Sequence, residues 1–122
     1  MGFWKLSMRT SENDDDVVLI LSNAPDAPLA ERIAQVLVDG GLAACVNMGA
    51  PMTSIYSWQG RVERTEEVPL MIKTTRARQD EVVQALAKLH LYEVPEVLVV
   101  DTQDGLDSYL DWVRRQTRVQ WH

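Results

Sequence analysis

Residues 17–21 read VVLIL, a continuous run of β-branched and aliphatic side chains. The acidic run DDD at 14–16 precedes it, and the sequence SNAP at 22–25 follows it. An apolar run of this length between turn-forming residues is typical of a strand that is buried on both faces. We therefore expect this strand to lie at the centre of a sheet.

A helix is predicted directly after this strand. Asp26 is a good N-cap residue, and Leu29, Ile33 and Leu37 then recur at the spacing of one helix face. The pair GG at 40–41 predicts the end of the helix, because glycine is a poor helix former. The apolar face of this helix is expected to pack on the sheet.

A long hairpin is predicted next. Residues 42–48 and 53–58 are strand-like, and the sequence GAP at 49–51 predicts a bend or bulge within one long strand. The pair QG at 59–60 predicts a tight turn. Residues 61–74 then form the return strand, which is polar near the turn and apolar later. The tip of such a hairpin is expected to extend beyond the core.

The remaining segments complete a βαββαβ order. A second helix is predicted over residues 77–90, and Pro95 prevents it from continuing. Residues 96–100 are predicted to form a strand, and a last helix is expected to open at Asp104. The predicted fold class is therefore α+β, a ferredoxin-like βαββαβ sandwich with an additional C-terminal helix.

Composition excludes several classes of protein. The chain has 122 residues, of which 12 are Lys or Arg and 18 are Asp or Glu, so its net charge of -6 does not favour a nucleic-acid backbone. No apolar run approaches the ~18 to 20 residues that span a membrane. Cys45 is the only cysteine, which excludes an internal disulfide framework and favours a reducing compartment.

The chain is predicted to form one domain over residues 17–117, since no linker or repeat divides it. Residues 1–16 are expected to be a disordered tail because their later part is wholly polar or acidic, and residues 118–122 are expected to be a short C-terminal tail. The first sixteen residues lack the apolar stretch of an export signal. We therefore expect a cytoplasmic protein.

His90 is the main candidate for a metal ligand. The other histidine, His122, is the last residue of the chain, whereas His90 stands at a predicted helix end. Glu93 follows three residues later and can act as an oxygen ligand or can orient the imidazole. The alternative is a helix-end histidine that interacts only with the helix dipole.

Cys45 has two possible roles. Its small and apolar neighbours are typical of a buried, inert thiol. As a nucleophile it would need His90 brought close by the fold, because no histidine, lysine or arginine lies within four residues. A thiolate together with an imidazole suits copper better than magnesium or calcium.

The charged residues of the hairpin divide into two groups. Glu63, Glu66 and Glu67 are expected to be a solvated face near the hairpin tip rather than an acid/base pair. Lys73 follows an apolar segment, so we expect it to be half-buried, where it can meet an anion or pair with Glu93. A structural ion pair is the simpler of these alternatives.

Aromatic side chains accompany the hairpin and the last helix. Tyr56 and Trp58 precede the turn, Tyr92 follows the second helix, and Tyr109 and Trp112 lie in the last one. Because tyrosine and tryptophan are enriched at interfaces, and long edge strands need covering, self-association through the hairpin is expected. Alternatively, the terminal helix covers these strands within one chain.

Taken together, these motifs resemble the CutA divalent-ion-tolerance family over about residues 17–117. The segments that carry the resemblance are SNAPD at 22–26, LAACVN at 42–47, SIYSWQG at 54–60, KTT at 73–75, YEVPE at 92–96 and YLDW at 109–112. The resemblance implies a homotrimer formed through the long hairpin strands, a role in the response to metal ions, copper binding and no agreed catalytic activity.

The resemblance also implies roles for individual residues. Cys45 matches the family's strand cysteine, and His90 matches the histidine before its Tyr-Glu-Val-Pro segment. With Glu93, these residues form the implied metal site for Cu(II) or another divalent cation. Lys73, Tyr92 and Glu93 match the implied intersubunit cleft, and Trp58 is expected to line that cleft as well. In this chain Leu91 replaces the family's usual proline, and Ser22 and Leu89 stand where some enterobacterial members have an extra cysteine and histidine.

Three hypotheses follow for the function. The first is a trimeric metal-response protein that binds a divalent cation weakly at His90 and has no organic cofactor. An unidentified partner protein is a further prediction of this hypothesis. The second is a regulatory trimer similar to the PII signalling proteins, in which Lys73, Trp58 and Tyr92 would bind a small anionic effector between subunits. The third is an enzyme with Cys45 as its nucleophile.

Overall fold

A computed structural model of the chain describes residues 13–118. The expectations for residues 1–12 and 119–122, including His122, fall outside the described residues. Residues 14 and 15 form a turn, and the carbonyl groups of Asp14 and Asp16 accept hydrogen bonds from the first amides of the second helix. The elements of the described chain are β1 (Val17–Ala24), α1 (Ala27–Asp39), β2 (Cys45–Met48), β3 (Met52–Trp58), β4 (Arg61–Thr75), α2 (Arg76–Leu89), β5 (Val97–Asp101) and α3 (Asp107–Gln116).

Strand β1 lies inside the sheet, as its uninterrupted apolar run predicts. The strand order is β2-β4-β1-β5, and β3 pairs with β4 outside this path. Strand β4 lies antiparallel to β1 from Val17 opposite Thr75 to Ala24 opposite Val68, and β5 pairs with the other edge of β1. This order confirms the predicted ferredoxin-like βαββαβ sandwich with a C-terminal helix.

The segment between β2 and β3 is a bulge within one long strand, as predicted. Both strands pair with β4, with Met48 opposite Leu70 and Met52 opposite Glu67. Between these two pairs lie three residues of this strand, 49–51, but only two residues of β4, 68–69. One extra residue on one strand defines a bulge. The Gly49 amide donates to the Pro69 carbonyl at 3.0 Å. A Cβ atom on Gly49 would lie only 2.6 Å from Cγ of Pro69, so a side chain there would force the strand or the proline ring to shift.

Helices α1 and α2 cover one face of the sheet. The Asp26 side chain accepts a hydrogen bond from the Leu29 amide at 2.8 Å, which confirms it as the N-cap of α1. The two helices bury their apolar faces against the even-numbered side chains of β1 and β4. The buried residues of this core are Val18, Ile20, Ala24, Ala30, Ile33, Leu37, Ala43, Val68, Leu70, Ile72, Val82 and Leu86.

The opposite face of the sheet, which we call the open face, is only partly covered. Helix α3 packs over one end of it, where Val17, Ala44 and Val113 form a second small core. The helix begins at Asp107 rather than at Asp104, since Leu106 is the N-cap residue and Asp104 instead accepts from the Gly105 amide. The open face leaves further large apolar side chains exposed, among them Met71, Leu98 and Val100.

The outer half of the hairpin extends beyond the core. Apart from Ser54, which is half-buried, all residues of β3 are exposed, and β3 pairs with no strand of the described chain other than β4. Gln59 and Gly60 form the tight turn, both with positive φ. Within residues 13–118, no helix has both the length and the apolar character needed to cross a membrane.

Candidate functional site

A cleft of about 650 Å³ lies between β3 and the segment that joins α2 to β5. The helix α2 ends at Leu89 with His90 as its C-cap residue in extended conformation, and the segment that follows returns toward the hairpin. The side chains on the walls are mainly aromatic or acidic. They include Tyr56, Trp58, Tyr92, Glu67, Glu93 and Glu96.

His90 is buried beside this cleft, at the C-terminal end of α2. Its side chain is 8% exposed, and its amide donates to the Leu86 carbonyl at 3.0 Å. Nε2 of His90 lies 3.2 Å from the Ser22 hydroxyl, which donates to the Glu96 carbonyl at 2.8 Å. Since the hydroxyl uses its only proton on that carbonyl, Nε2 must be the donor to Ser22. Nδ1 is therefore the unprotonated nitrogen of the neutral ring.

The second ring nitrogen is an acceptor without a hydrogen-bond partner. Nδ1 of His90 is buried and has no hydrogen-bond partner among the residues that the structure describes. Burial lowers the pKa of His90 below its ordinary value of 6.5, and the negative charge of Glu67 opposes this effect. The ring is thus neutral at pH 7, which is the form that binds a metal ion.

Tyr92 connects His90 to the wall of the cleft. The two rings are stacked with their centroids 5.4 Å apart, and the Tyr92 hydroxyl donates to the Glu67 carboxylate. Burial, followed by this hydrogen bond and the charge of Glu67, raises the pKa of Tyr92 to about 12. The hydroxyl therefore remains protonated at neutral pH and continues to orient Glu67.

Strand β1 anchors the far end of this segment. Asn23 is buried and donates from its side-chain amide to the Glu96 carboxylate at 3.0 Å. Together with Ser22, it fixes both the side chain and the backbone of Glu96. Ser22 and Asn23 belong to the SNAPD segment at 22–26, whose partners 68 or more residues away have no signal in the sequence.

Glu67 corrects an expectation for the hairpin carboxylates. It is half-buried and contacts Tyr92, so it belongs to the cleft and not to a solvated face, whereas Glu66 is exposed as expected. Its position directly before the buried half of β4 is the only sequence signal that distinguishes it.

Cys45 and Lys73 lie elsewhere, opposite each other on β2 and β4. Both contact the side-chain amide oxygen of Asn47, to which Lys73 donates and from which Sγ of Cys45 is 3.9 Å away. Lys73 is six residues from Glu67 along β4, a distance of ~20 Å in a strand. The structure therefore places Trp58 and Tyr92 in one cleft but does not bring Lys73 there.

The predicted metal ligands are likewise only partly brought together. Glu93 lines the cleft next to His90, but Cys45 lies opposite Lys73, which pairs with Leu19 of β1. Leu19 and Ser22 are three residues apart, so they point to opposite faces of the sheet. Within one chain, Cys45 and His90 thus lie on opposite sides of the sheet. Residues 13–118 contain no group of three or more His, Cys, Asp or Glu side chains arranged to hold a metal ion.

The βαββαβ sheet, its two covering helices and its C-terminal helix define a small ferredoxin-like α+β protein with an aromatic and acidic cleft. Residues 18–116 match the family model described as CutA1 divalent ion tolerance protein. The chain belongs to this family, which confirms the resemblance seen in the sequence.

Individual relatives agree with this assignment. The chain is 41% identical over 103 residues to the divalent-cation tolerance protein CutA of Thermus thermophilus, covering 84% of this chain and 98% of that protein. The crystal structure of CutA from Xylella fastidiosa matches with a TM-score of 0.82 and 42% identity, over 84% of this chain and 98% of the other. The periplasmic divalent cation tolerance protein CutA of Archaeoglobus fulgidus matches with a TM-score of 0.81 and 32% identity, over 84% and 99% of the two chains.

Proposed function

We propose that this protein acts in divalent-cation tolerance as a homotrimer that binds a divalent cation weakly at His90 and catalyses no reaction. Its family and its relatives are named divalent-ion or divalent-cation tolerance proteins. The observation that carries the proposal is the buried, unpartnered Nδ1 of His90.

The hydrogen bonds around His90 suit a metal ligand. Metal-binding histidines usually donate their second ring N–H to an oxygen, which fixes the ring and its tautomer. Ser22 supplies such an oxygen at Nε2, so the lone pair of Nδ1 remains free. An imidazole nitrogen is a favoured ligand for Cu(II), which is therefore the first ion to test.

Weak binding follows from the small number of ligands. His90 has Glu93 as its candidate partner in the same chain, and no group of three ligand side chains is present within residues 13–118. A closed site would require groups from a neighbouring chain. Cys45, which lies on the open face, is the thiol that such a neighbour would offer.

Self-association is supported by the outer half of the hairpin. Strand β3 has one unpaired backbone edge in the described chain, and no helix covers its side chains. Exposed edges and exposed apolar side chains are usually covered by a partner. Large apolar side chains exposed on the hairpin are Met52, Ile55, Tyr56, Trp58 and Val62. The resemblance supplies the expected number of three chains.

The absence of catalysis and the location complete the proposal. Cys45 has no base beside it, because its cross-strand neighbour Lys73 donates to Asn47 and His90 lies on the other face of the sheet.

We keep the cytoplasm as the expected compartment because the chain has a single cysteine. A partner protein remains a prediction. The alternative function is a regulatory trimer that binds an anionic effector. It has less support, because the cleft of one chain is lined by carboxylates and by no basic side chain.

The test is calorimetric titration of the tag-free protein with Cu(II), in parallel with His90→Ala and His122→Ala. We expect saturable binding that is lost in His90→Ala and kept in His122→Ala, since the first substitution removes a buried nitrogen without a hydrogen-bond partner among the described residues. Binding that persists in His90→Ala would contradict the proposal. Light scattering on the same samples should give the mass of three 13.8 kDa chains, and a single-chain mass would contradict the trimer.

A further inference from the structure

The sequence contains two Asp-Gly pairs, Asp39-Gly40 and Asp104-Gly105. In such a pair the aspartate side chain can react with the next backbone nitrogen, because glycine has no Cβ atom to hinder the approach. The product is a succinimide ring, which water opens to aspartate or to isoaspartate. Whether a pair reacts depends on how the fold holds its nitrogen and its carboxyl group.

The fold holds the first pair in an unreactive arrangement. Asp39 is the last residue of α1, and the Gly40 amide donates to the Val36 carbonyl at 3.1 Å. The Asp39 carboxylate accepts a hydrogen bond from the side-chain amide of Gln35 at 2.9 Å. Both reacting groups are therefore engaged with other partners, and the end of the helix must open before they can meet.

The second pair is arranged in the opposite way. Asp104 and Gly105 lie between β5 and α3 in residues 102–106, all of which are exposed and outside any helix or strand. The Gly105 amide donates to Oδ1 of Asp104 at 2.8 Å. Since Cγ of Asp104 is bonded to this oxygen, the nitrogen is held close to the carbon that it attacks. Such alignment of the reacting atoms speeds an intramolecular reaction.

We propose that Asp104 isomerises to isoaspartate in the folded protein and thereby becomes a substrate for an isoaspartate methyltransferase that uses S-adenosylmethionine. This modification site goes beyond the proposed metal function and does not depend on it. Both reacting groups belong to one loop, and no residue of the hairpin takes part.

The reaction needs water but no oxidant or reductant. The Gly105 nitrogen bonds to Cγ of Asp104 in its acid form, the nitrogen loses its proton, and one carboxyl oxygen leaves as water. Water then adds to the main-chain carbonyl carbon of Asp104 and breaks its bond to the Gly105 nitrogen. The chain now runs through Cβ and Cγ of residue 104, and the former main-chain carbonyl is a free carboxylate. Mass and charge are unchanged, and this carboxylate accepts the methyl group from the sulfonium sulfur of the cofactor.

Isomerisation would alter the start of α3. The additional main-chain carbon displaces Gly105, which lies so close to Leu110 that a Cβ atom on the glycine would be 3.1 Å from Cδ2 of Leu110. Leu110 packs in turn against the small core of Val17, Ala44 and Val113. We therefore expect the modified chain to hold α3 more loosely on the sheet.

The first test follows the intact, assembled protein at neutral pH over several weeks. Peptide mapping with electron-transfer fragmentation distinguishes isoaspartate from aspartate at each position. Isoaspartate should form at least about tenfold faster at Asp104 than at Asp39, because only Asp39 requires the end of a helix to open. Equal rates would overturn the proposal. Absence of conversion at Asp104, the result expected if a partner chain immobilises the loop, would overturn it as well.

The same measurement in urea tests whether the fold causes the difference. In the unfolded chain neither pair keeps its hydrogen bonds, so the two rates should become similar. If the full preference for Asp104 persisted in urea, it would come from the neighbouring sequence, and the structural argument would be wrong.

Variants then assign the signal to one residue. Asp104→Glu keeps the charge but would have to close a larger and less favourable ring, whereas Asp39→Glu makes the same change at an exposed position of α1. Purified isoaspartate methyltransferase with labelled S-adenosylmethionine should label the aged unmodified protein and aged Asp39→Glu equally, and should leave aged Asp104→Glu at background. Labelling that persisted in Asp104→Glu would overturn the assignment.

Hydrogen exchange measures the effect on α3. Amides of residues 107–116 should exchange faster in aged protein than in fresh protein, and aged Asp104→Glu should behave like its own fresh sample. Unchanged exchange in an aged sample that contains isoaspartate would overturn the expected loosening of α3.

Discussion

The hydroxyl group of Ser22 lies 3.2 Å from Nε2 of His90, although 68 residues separate the two in sequence. The contact joins the central strand to the end of α2, and it sets which nitrogen of the ring is free. The local sequence around either residue does not show it. It is the contact on which the proposed metal site most depends.

Substitution of Ser22 by alanine should impair both stability and metal binding. Ser22→Ala leaves the Nε2 donor of His90 buried without an acceptor, which costs about 1–3 kcal/mol in the free energy of unfolding. It also releases the orientation of the ring, and loss of such an orienting partner typically lowers metal affinity about 10- to 100-fold. Urea unfolding and calorimetry with Cu(II) measure the two effects. Ser108→Ala, at an exposed position of α3, is the control, and equal behaviour of the two variants would contradict the role of Ser22.

Stability of the metal-free protein should fall as the pH drops below about 6.5, the ordinary pKa of histidine. Burial lowers the pKa of His90 in the folded state, so the unfolded chain takes up a proton first and is favoured at lower pH. The groups that face the ring are the Ser22 hydroxyl, the Tyr92 ring and the Glu67 carboxylate, whose charge opposes the shift. Urea unfolding between about pH 5 and pH 7.5 measures this dependence. His90→Gln should show a shallower dependence, and an identical slope would exclude His90 as its source.

A charge on the outer hairpin should dissociate the trimer. Val62 is 79% exposed in one chain and lies on the uncovered half of β4. Val62→Glu would place a carboxylate from each chain in the proposed interface, where burial without a partner is strongly unfavourable. Light scattering should then report a mass near 13.8 kDa. Val36→Glu makes the same change on α1, where Val36 is 42% exposed, and should leave the assembly intact. A trimeric Val62→Glu protein would place the interface elsewhere.

The bulge should not tolerate a side chain at Gly49. In Gly49→Ala the new methyl group would lie 2.6 Å from Cγ of Pro69, so strand or ring must shift. Overpacking of this kind costs about 1–3 kcal/mol in the free energy of unfolding. Urea unfolding measures the loss, and Ala50→Ser in the same bulge is the control. The double variant Gly49→Ala, Pro69→Ala removes the clash, so its loss should be smaller than the sum of the single losses. Additive losses would show that the contact is not the cause.

The fold could be predicted because each element carries its own local signal. The uninterrupted apolar run of β1, the Asp26 cap and the turn at 59–60 all follow from side-chain periodicity and backbone preference. The start of α3 was wrong by three residues, since Asp104 caps no helix and instead bonds to the Gly105 amide. The N-cap is Leu106, which makes no side-chain cap hydrogen bond, so the usual capping signal does not mark the start of this helix.

The site was less predictable because it depends on long-range register. The structure brings Trp58, Tyr92 and Glu93 to one cleft of a single chain, and it adds Glu67, because residues 91–96 fold back beside β4. Lys73 was expected near Glu93 or an anion, and it pairs with Asn47 instead. A shift of one residue in the pairing would reverse which face each strand residue occupies, and no local pattern fixes that pairing.

Strand β4 also divides into two halves that should differ in amide hydrogen exchange. From Val68 to Thr75 its backbone is paired with β1, and residues 70–73 are also paired with β2 on the other side, whereas from Arg61 to Glu67 it is paired only with β3. In an isolated chain the exchange rate should therefore change abruptly at Val68, because amides of the packed half open only with the core. If assembly slows amide exchange in residues 61–67 as well, the exchange rates along this one strand would report whether the chains are associated.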